Sequence, residues 1–464
     1  MTNPRDPSFE AWLEAQLCQS ARAMLSSISP RTLVKHRPGF GQVVRPIAGA
    51  IVASPVLAAY DPDPDYFFHW FRDSAVVIDA LRLLHADRRV GDDALHHLRD
   101  FTRFSVALSR LDGRAVAAIP DRRARVAPDF LQFLREDDDL SKAHGDAIGA
   151  ETRVNPDGTL DVSRWARPQH DGPPLRALAL LRWVRGTPLD APLLAEIAAL
   201  VRADLDFTLR RAREPSYDIW EEESGHHYYT LRVSAAALAE GAAWLQGLGD
   251  TTQAQRCGDE SRALLARLDD YWLEPPADGP AGDGGALPGY YRSRLSADER
   301  LSPKALDIAV ILSAIHCVDS DEPRHGPSDP RMQATLARLD ALFDAAYPIN
   351  QGRPPGRGPA LGRYAGDVYY SGGAYYFSTL GAAEFCFRVA ALGVDARAWF
   401  ERGDAYLATV RAYTPASGDL SEQFDQRSGV QSSAKHLAWS YAAFISCVSA
   451  RRIAAAGTPP PTRR

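Results

Sequence analysis

The sequence predicts an all-α protein, an (α/α)6 barrel of six inner and six outer helices, with its active site at the N-terminal ends of the inner helices. Three observations point there. Apolar residues recur at helical spacing in twelve segments, strand patterning is sparse, and the connections alternate between short and long.

Apolar positions three and four apart, bounded by capping residues, place helices at 8–28, 73–86, 92–111, 172–186, 191–213, 230–247, 252–273, 303–318, 329–347, 373–392, 395–413 and 432–452. In DGPPLRALALLRWVRG, Asp171 can cap and two prolines take the first turn, where no amide donor is missed. SSAKHLAWSYAAFISCVSARR is apolar on most faces and ends in arginines, which suits the carbonyl end of a helix. A short hairpin or two in the loops is the only strand content expected.

Links after even-numbered helices are mostly short, as in VRGTPLDAP, GLGDTTQ and ALGVDAR; HCVDSDEPRHGPSDP is the longest. Links after odd-numbered helices are long, at 29–72, 112–171, 214–229, 274–302, 348–372 and 414–431. With helices running up and down, the long loops gather at one end, each feeding the N-terminus of an even-numbered helix. Long loops in a compact domain are usually functional. The alternative, a solenoid of helical hairpins, calls for a fixed sequence repeat, which is absent.

Bulk composition narrows the function classes. The 464 residues carry a net charge of −6, 45% hydrophobic and 24% charged residues, with no basic stripe, which argues against nucleic acid as a partner. Five cysteines (Cys18, Cys257, Cys317, Cys386, Cys447) lie far apart without CxxC or zinc spacing, as reduced, buried thiols do. Charges at Arg5, Asp6, Glu10 and Glu14 interrupt any signal peptide, and no apolar run is long enough to span a membrane. A cytoplasmic chain with one catalytic domain over 1–464 and a flexible tail at 455–464 is the expectation.

The long loops share one chemistry: PDYFFHWFRDS, SRWARPQHDGPPLR, EPSYDIWEEESGHHYYT, LGRYAGDVYYSGGAYYFST and PASGDLSEQFDQRSGVQSSAKH each mix aromatic rings with Asp, Glu or Arg. Sugars need that mixture, because their C–H faces stack on rings and their vicinal hydroxyls take bidentate bonds from charged groups. Hydrolysis of a glycosidic bond needs two carboxyl groups, one protonated and one ionised. The candidates are Glu221 or Glu222 in the third loop and Glu422 in the sixth. In a six-fold ring these loops face each other, and a gap of roughly 6.5–9.5 Å would admit a water and give inversion. His226 and His227 lack a convergent third ligand, so no metal is expected, and no cofactor motif is present.

These motifs resemble the glucoamylases, family 15 of the glycoside hydrolases, over almost the full chain. The matching runs, in the family's order, are IVASP with DPDYFFHWFRDS, WARPQHDGPPLRA, YDIWEEESG, GRYAGDVYY, and SEQFD with SAKHLAWSYAAF. The resemblance implies the (α/α)6 fold and an inverting, exo-acting enzyme that removes glucose from the non-reducing ends of α-glucans. By position it makes Glu221 the general acid, Glu422 the general base and Glu222 a substrate-binding carboxylate. Arg72 and Asp73 match the pair that holds hydroxyls of the terminal glucose, with Tyr66 and Trp70 lining that subsite. Arg363 matches a sugar-binding arginine, Trp165 an aromatic wall near the leaving-group sugar, and Trp220 and Tyr375 join the binding set.

The chain departs from the family at Phe71, where Pro or Thr is usual, and at Tyr375, where a tryptophan is. It departs again at GHHYYT, whose His226 and His227 are bulkier than the usual residues. These put linkage preference and chain length in doubt, and the expected lack of a starch-binding module favours short oligosaccharides. Two other readings share the motifs: a trehalase, and a non-catalytic regulatory domain of the phosphorylase kinase type. The second predicts an eroded acid–base pair, whereas Glu221 and Glu422 stand in intact motifs.

Overall fold

The computed structural model describes residues 7–60, 62–274, 288–295, 301–317, 323–393 and 395–457. Among these, twelve helices have eight residues or more: α1 Pro7–Leu25, α2 Phe71–Ala86, α3 Asp93–Leu108, α4 Gly172–Gly186, α5 Ala191–Arg211, α6 Tyr228–Gly247, α7 Thr251–Leu268, α8 Ala309–His316, α9 Pro330–Ala346, α10 Tyr376–Ala391, α11 Ala396–Tyr413 and α12 Ala438–Gly457. Each predicted segment is a helix. The fourth long loop, expected at 274–302, lies largely outside the described residues, as does the tail beyond residue 457.

Burial alternates along the chain. In α4 every residue from Gly172 to Trp183 is buried, in α8 every residue from Ala309 to Ile315, and in α10 every residue from Tyr376 to Phe387. Their odd-numbered neighbours bury one stripe only: Leu193, Ile197, Leu200, Val201, Leu205 and Thr208 in α5, and Met332, Thr335, Leu336, Leu339 and Phe343 in α9. A helix apolar all round needs protein on every side, whereas an amphipathic one needs it on one. The buried helices still hold charged residues, such as Arg176 of α4, whose guanidinium is paired with Asp204.

Three predicted helices begin late. Residues read as their first turn are spent on two-residue antiparallel pairings or, before α8, on a single bridge. Ala374–Tyr375 pairs with Gln423–Phe424, which pairs in turn with Gln431–Ser432. Ser433 and His436 have positive φ (62° and 51°), which holds the start of α12 back to Ala438. Before α8, Asp307 bridges Tyr364, and its carboxylate accepts the backbone N–H of Ala309 at 2.8 Å. The strand content thus exceeds the hairpin or two expected. Periodicity over eleven or more residues cannot see pairings this short.

The chain divides into two compact units. One comprises Met24–Gly225 and Ala236–Ser261; the other comprises Met1–Ala23, His226–Ala235 and Arg262–Arg464. In the first, α2 packs on α4, and α5 packs on α3 and α4. Phe71 lies in its core with Ala50, Phe104, Leu108, Leu140, Ile148 and Val154. Gly172 opens α4 at the point of closest approach, where an added Cβ would stand 2.5 Å from Phe71 Cβ, so only glycine fits. In the second unit, α10 packs on α11, α12 and α8. All five cysteines are free, and no described helix is long and apolar enough to cross a membrane.

Candidate active site

In the first unit, the EEE run sits at the tip of a hairpin. Ser216–Tyr217 pairs with Ser224–Gly225, and the buried Asp218 organises the turn between them. One of its carboxylate oxygens accepts the N–H groups of Glu222 and Glu223 at 2.8 and 3.3 Å, and its carbonyl accepts that of Glu221 at 3.0 Å. Glu221 pays for its place with a left-handed backbone, φ 64°. The three glutamates are consequently inequivalent. Glu221 turns inward, with 11% of its side chain exposed, while Glu222 is exposed.

Three donors converge on the Glu221 carboxylate. Oε1 accepts from Trp70 Nε1 at 2.9 Å and from Arg72 Nη2 at 3.0 Å, and Oε2 accepts from Trp165 Nε1. Tyr66 extends the aromatic surface, its ring centroid 5.2 Å from that of Trp70, which stands 6.4 Å from Trp165. Trp165 is the exposed member of this group and Trp220 is half-buried.

Arg72 links Glu221 to two further carboxylates. Its Nη1 donates to Asp171 at 3.2 Å and its Nη2 stands 3.6 Å from Asp73. Asp171 holds the N-cap position of α4 but makes no capping bond; its side chain serves Arg72 instead. Sequence reading saw only the cap. One buried guanidinium thus serves three carboxylates. Burial, only partly offset by Arg72 and reinforced by Glu221 and Asp171, pushes the Asp73 carboxyl up to about 6. Burial likewise raises Asp171 against the pull of Arg72.

A pH dependence follows. A carboxyl raised on folding keeps its proton in the native state where the unfolded chain has lost it. Its stabilising contribution is complete below its unfolded value of 3.8 and is lost as pH rises through about 6. Asp73→Asn, which cannot ionise, should flatten the melting-temperature profile across that window. A slope identical to wild type would remove Asp73 as its source.

In the second unit, Glu422 precedes the central strand of the three-strand pairing. Its N–H donates to the carbonyl of Ala434 at 2.7 Å, its own carbonyl accepts from Tyr376 at 3.2 Å, and Ser433 Oγ donates to Oε2. The carboxylate is buried (8% exposed) on an anchored backbone. Beside it, Arg363 makes a bidentate pair with Asp367 at 2.7 and 2.6 Å. Tyr375 OH donates to Asp367 at 3.1 Å and accepts from Gln423 Nε2 at 2.7 Å. Sequence reading missed Asp367, Gln423 and Ser433: Asp367 and Ser433 pair within their own loops, and Gln423 reaches Tyr375 across 48 residues.

Of the three departures, Phe71 packs in the core. Tyr375 is 1% exposed and braces Asp367 from within. His226 and His227 pair with Leu295 and Arg294 in a short ladder, and the carbonyl of His226 accepts from Tyr271 OH at 3.1 Å.

Comparison with known proteins identifies the family. The profile of the family described as glycosyl hydrolases family 15 matches residues 39–109 and 148–449. The chain is 27% identical to a glucoamylase of Neurospora crassa over 89% of its length, and 29% identical to glucoamylase P of Amorphotheca resinae over 87%. It spans just under two thirds of those relatives, 64% and 65% of their lengths. The solved structure of Hormoconis resinae glucoamylase superposes with a TM-score of 0.71 at 26% identity, over 98% of this chain and 76% of that one. The fold class is the all-α (α/α)6 barrel.

Proposed function

The chain belongs to glycosyl hydrolase family 15, and from that premise we propose that it is an inverting, exo-acting α-glucosidase of glucoamylase type. Its substrates are glucooligosaccharides with α-1,4 or α-1,6 bonds, opened at the non-reducing end to release β-glucose. Glu221 protonates the leaving oxygen, and Glu422 takes a proton from the attacking water. Arg72 and Asp73 hold hydroxyls of the terminal glucose. Tyr66, Trp70 and Trp220 line that subsite, Glu222 adds a carboxylate, and Trp165 walls the leaving-group sugar. Arg363 and Tyr375 belong to the binding set, with Tyr375 acting through Asp367.

The observation that carries this reading is the cradle of Glu221: two indole N–H groups and a guanidinium fix one carboxyl group within an aromatic surface. Such a cradle holds an acid in one orientation. A protonated Glu221 keeps acceptor capacity for these donors, two on Oε1 and one on Oε2, and still has an O–H to give.

Glucose released from maltose should appear first as the β-anomer by proton NMR; an initial α-anomer would overturn inversion. Both relatives are named glucoamylases, which favours an α-glucan substrate over trehalose. Glucose release from trehalose alone, in a panel of glucose disaccharides, would instead make the enzyme a trehalase.

A further inference from the structure

Arg153 has no part in the assignments above, yet the two indoles that hold Glu221 both pack against it. Its guanidinium carbon stands 3.5 Å from the ring centroid of Trp165, 4.8 Å from that of Trp70 and 4.0 Å from that of Phe68. Strand register accounts for one contact, since Arg153 is the direct cross-strand partner of Trp70. The Trp165 ring comes from twelve residues further along the same loop.

Arg153 is itself held. Its Nε donates to Asp161 at 2.9 Å and its Nη2 to Ser163 Oγ at 3.2 Å. Asp161 accepts from Arg167 at 3.0 Å, Arg167 donates to Glu151 at 2.7 Å, and Arg135 makes a bidentate pair with Glu151 at 3.0 and 2.9 Å. Burial opposes the Asp161 charge, but the guanidiniums of Arg153 and Arg167 outweigh it and keep that carboxyl ionised. Charges alternate along this buried chain, so a shift at any member leaves a neighbour uncompensated. Trp165, by contrast, is 38% exposed. An indole so placed has little apolar packing to hold its plane, and a planar cation against its ring supplies the missing constraint.

We propose that Arg153 is a positioning residue for the acid: it sets the planes of Trp70 and Trp165 so that both indole N–H groups are directed at Glu221. The inference rests on Glu221 being the proton donor. An ammonium in its place keeps the charge but has no plane to stack.

The test compares Arg153→Met and Arg153→Lys with wild type, using maltose kinetics across pH and near-ultraviolet circular dichroism of the tryptophans. Arg153→Met should lower kcat by about 10–100-fold with KM within about three-fold, because misplacing a reacting group costs rate more than binding. The basic limb of its pH profile and its tryptophan dichroism should both change, and Arg153→Lys should recover only part of each. Combined with Trp165→Phe, the loss should fall short of the product of the single losses, because both changes release the same donor. Fully multiplying losses, or a Met variant with wild-type kcat and dichroism, would overturn the proposal. If Arg153→Met does not fold, the Lys variant decides: unchanged dichroism and pH profile there overturn it equally. A wild-type protein that cleaves no glucoside defeats the functional assignment, while the dichroism comparison still judges Arg153.

Discussion

Glu422→Gln is expected to lower kcat on maltose by about 10²–10⁴-fold, the usual worth of a positioned base, while the protein stays folded and binds sugar. The substitution keeps the shape of the side chain and deletes its capacity to take a proton. The bond to Ser433 survives, because the hydroxyl that donates to Oε2 can rotate and accept from an amide. Glu221→Gln should lose a similar factor in rate, but its stability should behave differently. The Glu221 oxygens face three donors, from Trp70, Arg72 and Trp165, and a glutamine offers one carbonyl and one NH2 group. At least one N–H must then oppose another, at a cost of about 1–3 kcal/mol for the donor left unpaired. Denaturation curves should therefore separate the two variants while kcat does not. Near-wild-type turnover in either one would remove that residue from the chemistry.

Arg72→Leu is expected to cost about 3–5 kcal/mol of folding stability, the range seen when one partner of a buried ionic cluster is removed. Arg72 is 4% exposed and serves Asp73, Asp171 and Glu221 at 3.6, 3.2 and 3.0 Å. Without it, three carboxylates remain with no counter-charge from that position, and they can relieve their repulsion only by binding protons. Their native-state affinity for protons then exceeds that of the unfolded chain, so the deficit should widen as pH rises. Urea denaturation at two pH values, on either side of the raised Asp73 titration, measures this directly. A deficit that is equal at both, or below about 1 kcal/mol, would show that the cluster does not depend on Arg72. Adding Asp171→Asn to Arg72→Leu should restore part of the loss, since it removes one of the stranded charges.

Much of this was legible without coordinates. The twelve helices are written in apolar spacing, and the alternation of short and long links marks the loops that carry the chemistry. The candidate carboxylates also stand out, because Trp220 beside EEE, and SEQFD in a long loop, are local words. Less legible were the loop pairings that delay α8, α10 and α12, since a single bridge or a two-residue strand leaves no period to detect. Local sequence likewise does not separate Phe71, whose side chain packs in the core, from its neighbours Trp70 and Arg72, which serve Glu221.

The sequence by itself determined the helices, the loops that carry the chemistry and the residue types available to it, because those depend on neighbours within a few positions. Only the tertiary structure decided which carboxylate each donor serves. Asp171, read as a helix cap, gives its oxygen to Arg72, 99 residues away. Trp165 reaches Glu221 across 56 residues, and Arg153 stacks on the ring that makes that contact. The physical reason is that a buried charge must find a partner wherever the packed chain offers one, and nothing in local spacing records which partner that is.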